Sequence, residues 1–191
     1  SLLAEVEKNG GAQNTGNVAF RPLLRALADA GRHDVIHRMV TQDEKPGYGW
    51  QLKRGETSLT ESWDANLTSS HNHFMFAQVN EWLYRDLAGI DVDPAGPGFK
   101  KIIIRPNPVE GVEWVETSYE SIHGPIAVRW ENTGGKFSMK VTIPANTTAR
   151  VFVPAAEGLK FKADSVPPGT REGNRIVYSV GSGTYTFESG R

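Results

Sequence analysis

The stretch Pro97-Gly98-Phe99-Lys100-Lys101-Ile102-Ile103-Ile104-Arg105-Pro106 divides the chain into two halves with different hydrophobic periods. Three consecutive isoleucines, closed off by Gly98 on one side and by Pro106 and Pro108 on the other, read as a short strand. Their branched side chains favour an extended backbone, and proline cannot continue a hydrogen-bonded ladder. Forward of this point the pattern repeats, with extended segments expected at 112–122, 126–131, 137–143, 148–153, 175–180 and 184–188. Turn-formers separate them: Gly124-Pro125, Thr133-Gly134-Gly135, Pro144-Ala145-Asn146, Pro167-Pro168-Gly169 and Gly181-Ser182-Gly183. Short strands joined by tight turns predict an antiparallel β-sandwich over 98–191.

Backward of Gly98 the apolar residues recur at helical spacing. Phe20, Leu23, Leu24 and Leu27 lie at i, i+3, i+4 and i+7, and Gly31 supplies a stop. A second helix is expected over His33–Thr41, with Val35, Ile36, Met39 and Val40 on one face. A third is expected from about His71 to Ala88, carrying Met75, Val79, Trp82, Leu83 and Leu87 as a stripe, with Gly89 as its end. Leu2, Leu3 and Val6 read as the tail of a further helix. The fold class is therefore α+β, helices over 1–97 and strands over 98–191. These helices have too few partners to close a core, so their apolar faces predict self-association of the chain.

Bulk properties narrow the function by exclusion. The 191 residues are 38% hydrophobic and 23% charged, with 21 basic and 22 acidic side chains mixed along the chain. No basic patch points to nucleic acid, and no apolar run approaches the length that crosses a bilayer. The absence of cysteine rules out disulfides and thiolate metal sites and leaves the compartment open. Asp91, Asp93 and Pro94 have the beginnings of a metal loop but lack its remaining ligands, so no metal and no cofactor is expected.

Between the second and third helices lies the long segment Pro46–Ser70, rich in glycine and hydroxyl residues, and long loops in a compact domain are usually functional. It contains Gly55-Glu56-Thr57-Ser58-Leu59-Thr60-Glu61-Ser62-Trp63-Asp64, followed by Ser69-Ser70-His71-Asn72-His73. A carboxylate beside a tryptophan has the makings of half a glycosidase site, since the acid can activate water while the indole packs on a sugar ring. The same residues also suit an ordinary helix start.

The order of motifs decides between these readings. Thr15-Gly16, Leu23-Leu24-Arg25-Ala26-Leu27, Gly31-Arg32-His33-Asp34 and Pro46-Gly47-Tyr48-Gly49-Trp50 precede the window. Asn72-His73-Phe74, Glu81-Trp82-Leu83-Tyr84-Arg85, Leu87-Ala88-Gly89-Ile90 and Pro97-Gly98-Phe99-Lys100 follow it. Together they resemble the C-terminal end of the glycoside hydrolase 78 family of bacterial α-L-rhamnosidases, strongly over 15–106 and more loosely through Ser121-Ile122-His123-Gly124-Pro125-Ile126 and Trp130. The resemblance implies the last helices of an (α/α)6 barrel over 1–97, a C-terminal β domain after it, and inverting hydrolysis of terminal α-L-rhamnosyl linkages in a rhamnose-containing glycan. It places Glu61 at the general base and His73 at a substrate-contacting histidine. Trp63 and Trp50 either line the sugar pocket or support its floor. The general acid belongs to an earlier segment that this sequence does not contain, so the chain by itself is expected to be inactive. Two positions depart from the family motif, Glu56 for alanine and Thr60 for tryptophan, and the loop from Glu61 to His73 is short. Glu56 is open to two readings, an exposed charge or a second carboxylate in the cleft. Two rival readings remain: a non-catalytic carbohydrate-binding or structural module, with Trp114, Tyr119 and Trp130 of the β half as its aromatics, and an (α/α)6 glycosidase acting on another sugar.

Overall fold

The structure, a computed structural model, describes residues 2–12, 14–155, 160–163 and 166–190. It divides into two compact units, Ser1–Trp82 and Leu83–Arg191.

The first unit contains α1 (Leu2–Lys8), α2 (Asn17–Asp29), α3 (His33–Thr41), α4 (Tyr48–Lys53), a 3-10 turn (Phe74–Gln78) and α5 (Val79–Trp82). The apolar face anticipated for α2 is its buried face: Phe20, Leu23, Leu24 and Leu27 are all closed to solvent, as are Val35, Ile36 and Met39 of α3. Burial of each such side chain stabilises by about 1.5–3 kcal/mol. Gly31 takes a left-handed φ of 70°, which lets the Arg32 amide reach back to the Leu27 carbonyl at 2.8 Å and closes α2. α5 is tied to α2 by the forked Arg21–Glu81 pair (2.5 and 3.0 Å) and to α3 by Trp82 Nε1, which donates to His33 Nδ1 at 3.2 Å.

Two expectations are corrected here. The Pro46–Ser70 segment is not wholly loop, because Tyr48–Lys53 forms α4 and carries Trp50 on a helix. The third helix does not run unbroken from His71 to Ala88. It begins at Phe74 as a 3-10 turn, becomes α-helical at Val79 and is π-wound over Leu83–Ala88, so the regular stripe is lost and Leu83 is exposed.

The second unit holds that π-wound stretch and ten strands in two five-stranded sheets. The strands are β1 (Ile90–Val92), β2 (Lys101–Ile104), β3 (Trp114–Ser121), β4 (Gly124–Thr133), β5 (Lys136–Ile143), β6 (Thr148–Pro154), β7 (Lys160–Ala163), β8 (Thr170–Glu172), β9 (Arg175–Val180) and β10 (Gly183–Gly190). One sheet runs β1-β2-β6-β9-β8 and the other β3-β4-β5-β10-β7. All pairings are antiparallel except β2 with β6, where Ile102 and Ile104 register against Ala149 and Val151. The sandwich starts earlier than the change of period suggests, since β1 pairs with β2 and draws 90–92 into the sheet. The three strands missed by pattern, β1, β7 and β8, are only three or four residues long. Trp130, fully buried, donates its indole N–H to the Leu87 carbonyl at 3.0 Å and so roots the π-wound stretch in the sandwich. Gly89 has φ of 91°, and a Cβ there would lie 2.3 Å from the Pro106 backbone nitrogen, so both its conformation and its surroundings require glycine. No helix among the described residues is long and apolar enough to cross a membrane.

Candidate active site

The loop between α4 and the 3-10 turn is held in shape by polar contacts rather than by a ladder. At its neck the His73 amide donates to the Leu59 carbonyl and the Glu61 amide to the Ser70 carbonyl, both at 2.8 Å. The Ser70 amide returns a bond to Glu61 Oε2 at 3.1 Å. Glu61 is otherwise exposed, so one carboxylate oxygen is oriented by the backbone and the rest of the group faces solvent. Inside the loop, Ser62 Oγ and Ser69 Oγ are 2.7 Å apart, and the Thr68 amide and hydroxyl both donate to Asn66 Oδ1. Thr60, the departure beside Glu61, is fully buried and donates its hydroxyl to the Ser62 carbonyl at 2.6 Å. Thr60 is thus an internal tie of the loop.

Trp63 lies beneath this loop. Its ring stacks on Phe76 (centroids 3.5 Å apart) and meets Phe20 and Tyr48 edge-on at 5.0 and 5.1 Å, while its N–H donates to the Thr15 carbonyl at 2.7 Å. At 8% exposure it is a floor for the loop. Tyr48 donates to the Phe76 carbonyl, and burial pushes its phenol well above the usual range. Gln51, also buried, points its amide at the carbonyls of Ser62 and Trp63.

His73 is half-buried at the neck, and Asn17 Nδ2 lies 3.2 Å from its Nε2. The amide can only donate there, so the ring accepts on Nε2 and carries its proton on Nδ1. The exposed Phe74 ring runs nearly parallel to it. Trp50 is separate from this group: it lies half-buried on α4 with Arg54 5.0 Å over its ring, and its indole N–H is enclosed with no partner among the described residues. The structure thus brings Glu61 and His73 to one loop neck, sets Trp63 underneath, and leaves Trp50 on a neighbouring helix.

Sequence reasoning left Glu56 open and missed its partner. Glu56 Oε2 lies 2.9 Å from His71 Nδ1, and His71 Nε2 lies 3.2 Å from the Asn66 carbonyl. A carboxylate and a carbonyl both accept, so this geometry favours the form of His71 that donates from both nitrogens. The Glu56 hydrogen bond, and then the Asn66 carbonyl, raise its pKa above the ordinary histidine value. Ser58 adds a hydroxyl bond to the His71 carbonyl. Glu56 is therefore not a lone surface charge but one half of a clasp around the loop. The only signal for it in the sequence was an acid and a histidine facing each other across a glycine- and serine-rich segment. No cluster of three His, Asp or Glu side chains that could hold a metal ion occurs among the described residues.

A helical unit with the exposed Glu61 carboxylate on its long loop is followed in the chain by a β-sandwich, and the comparisons give that order of domains its class. Residues 1–87 match the model of the bacterial alpha-L-rhamnosidase 6 hairpin glycosidase domain, and residues 89–167 match that of the bacterial alpha-L-rhamnosidase C-terminal domain. An alpha-L-rhamnosidase of Streptomyces avermitilis is 31% identical over 97% of this chain and 19% of its own length. The solved alpha-L-rhamnosidase of Dictyoglumus thermophilum superposes with a TM-score of 0.89 at 31% identity, over 97% of this chain and 22% of that one. The S. avermitilis enzyme solved with L-rhamnose gives 0.87 at 30% identity, over 97% and 19%. The chain belongs to the bacterial α-L-rhamnosidase family, and it spans about a fifth of the length of the relatives it matches.

Proposed function

We propose that this chain forms part of a glycoside hydrolase that removes terminal α-L-rhamnosyl groups with inversion, and that Glu61 is its general base. The observation that carries the reading is the exposed Glu61 carboxylate, oriented through one oxygen by the Ser70 amide while the other oxygen is left to water. In the inverting scheme, this carboxylate takes a proton from water as the water attacks the anomeric carbon. A carboxylic acid some 6.5–9.5 Å away protonates the departing oxygen. We assign that acid to a part of the enzyme outside this chain, so the chain alone is inactive. Its exposed Val18, Leu52, Leu67 and Phe74 support self-association when it is isolated. His73, neutral at Nε2, contacts a sugar hydroxyl. Trp63 acts as the floor that sets the height of the loop, and Trp50 borders the pocket.

Glu61→Gln in the full-length enzyme tests the assignment. With a nitrophenyl α-L-rhamnoside, kcat falls by about 10²–10⁴-fold while KM changes little, as expected for loss of a general base. The anomer first released by the wild type, followed by NMR, has inverted configuration. Retention of configuration, or a Glu61→Gln enzyme with near-normal kcat, overturns the proposal.

A further inference from the structure

Trp130, Phe137, Phe152, Tyr178 and Phe187 of the β unit are buried, but Trp114 is 58% exposed at the start of β3, an edge strand. The cross-strand register sets it outward beside Glu116, whereas Tyr119 and the buried Trp130 belong to the opposite face. The three aromatics singled out in the sequence therefore do not form one platform, and Trp114 stands alone. It is nevertheless held firmly. Arg129 lies 5.5 Å from its ring centroid and is itself fixed by Glu116 and Glu131.

Beside this indole is an open concavity of about 550 Å³ to which Glu110, Glu113 and Asn132 contribute. That size lies within the range of small-ligand sites, roughly 300–1,000 Å³. The floor is set by the Asn132 amide, which donates to the Glu113 carbonyl at 2.7 Å. The side chains of Glu110, Glu113 and Asn132 make no hydrogen bond or ion pair among the described residues. The combination has a definite chemistry. A pre-fixed indole presents an apolar, electron-rich face, and immobilising it costs a ligand little. Arg129 already occupies the cationic position at the ring, which leaves the exposed remainder to C–H groups. Two carboxylates and an amide at the rim supply acceptors for several hydroxyl donors. Stacked C–H groups ringed by hydroxyls describe a neutral pyranose, and the unpaired carboxylates exclude an acidic one.

We infer that Trp114, Glu113, Glu110 and Asn132 form a second sugar-binding site, remote in sequence from Glu61, which holds a neutral pyranose of the glycan without cleaving it. The site goes beyond the catalytic proposal and does not depend on it. The test uses full-length protein run in native gels cast with a neutral α-L-rhamnan. Trp114→Ala weakens retardation by about tenfold or more, Trp114→Phe keeps most of it, and Asn132→Ala or Glu113→Gln weakens it several-fold. Turnover of a nitrophenyl α-L-rhamnoside stays within about twofold in all four variants, which also reports that they are folded. Glu61→Gln abolishes turnover and leaves retardation intact. Retardation unchanged in Trp114→Ala overturns the inference, as does retardation that collapses at high salt, the mark of a cationic partner held by the carboxylates. A wild type that is retarded but hydrolyses no rhamnoside would overturn the catalytic proposal and leave this one standing.

Discussion

The sandwich and the Glu56–His73 loop are held together in opposite ways. In the sandwich, register is written by backbone ladders and by alternating burial. β5 shows it plainly, with Phe137, Met139, Val141 and Ile143 inward and polar residues between. Many small contributions share the task, so no single polar side chain decides the shape. In the loop, two backbone bonds close the neck, single backbone bonds close the turns Ser62–Ala65 and Asn66–Ser69, and the other ties are side chains reaching for a carbonyl, an amide or another side chain. A structure of that kind can be altered by one substitution or one proton. On the proposed function, the working carboxylate Glu61 sits on the tunable part, while the redundant part carries the bulk stability.

The sharpest way to break this contrast is to damage the sandwich and ask whether the loop notices. Trp130→Ala removes a fully buried indole and the donor to the Leu87 carbonyl, for an expected loss of about 3–5 kcal/mol. Chemical denaturation of the full-length enzyme followed by near-UV circular dichroism measures it. At temperatures where the variant stays folded, the His71 titration is unchanged, and a shifted titration would show the two regions to be one cooperative structure. Gly89→Ala is the next largest. Forcing alanine into left-handed backbone costs about 1–3 kcal/mol before the collision with Pro106 is counted, so the same denaturation experiment shows a clear loss. A neutral outcome would mean that the turn between the π-wound stretch and β1 relaxes freely.

The same contrast explains what could be read in advance. α2, α3 and six strands of six to ten residues were legible, because a period of 3.6 or 2 carried over several residues is a physical consequence of one buried face, and the four-residue β2 was legible through its isoleucine run. The failures are all places where that rule has little to act on. β1, β7 and β8 are too short to show alternation, and α4 packs a six-residue helix among glycines. The break of the third helix into 3-10, α and π pieces follows tertiary contacts that a stripe of apolar residues does not encode. Glu61 and His73 were singled out through the order of motifs rather than through periodicity, and both lie at the loop neck. Trp63 was legible only as an aromatic near a carboxylate; that its ring lies under the loop follows from Phe20, Tyr48 and Phe76, which come from three separate elements. The Glu56–His71 clasp was invisible because it depends on a fold of the loop that no local pattern specifies.

That clasp gives the smallest effect on global stability and the most specific one on function. Glu56 and the Asn66 carbonyl both favour the protonated His71 ring, and its pKa is raised. The sign follows directly. A group whose pKa is higher in the folded state contributes its stabilisation fully below the unfolded value, about 6.5 for histidine, and loses it as pH rises through the folded value. The loop around Glu61 should therefore be tightest in acid and slacken above the ordinary histidine range. Glu56→Gln removes the principal cause of the shift, so the His71 ring, followed through its Cε1 proton by NMR, titrates closer to its ordinary value. The alkaline limb of kcat/KM for the full-length enzyme moves to lower pH with it, while the denaturation midpoint of the sandwich stays where it was. Because Ser70, the residue that orients Glu61, is the immediate neighbour of His71, loosening the clasp reaches the base through one peptide unit. If the alkaline limb stays fixed while the His71 titration moves, then loop order and catalysis are uncoupled, and Glu61 is positioned by the Ser70 amide alone.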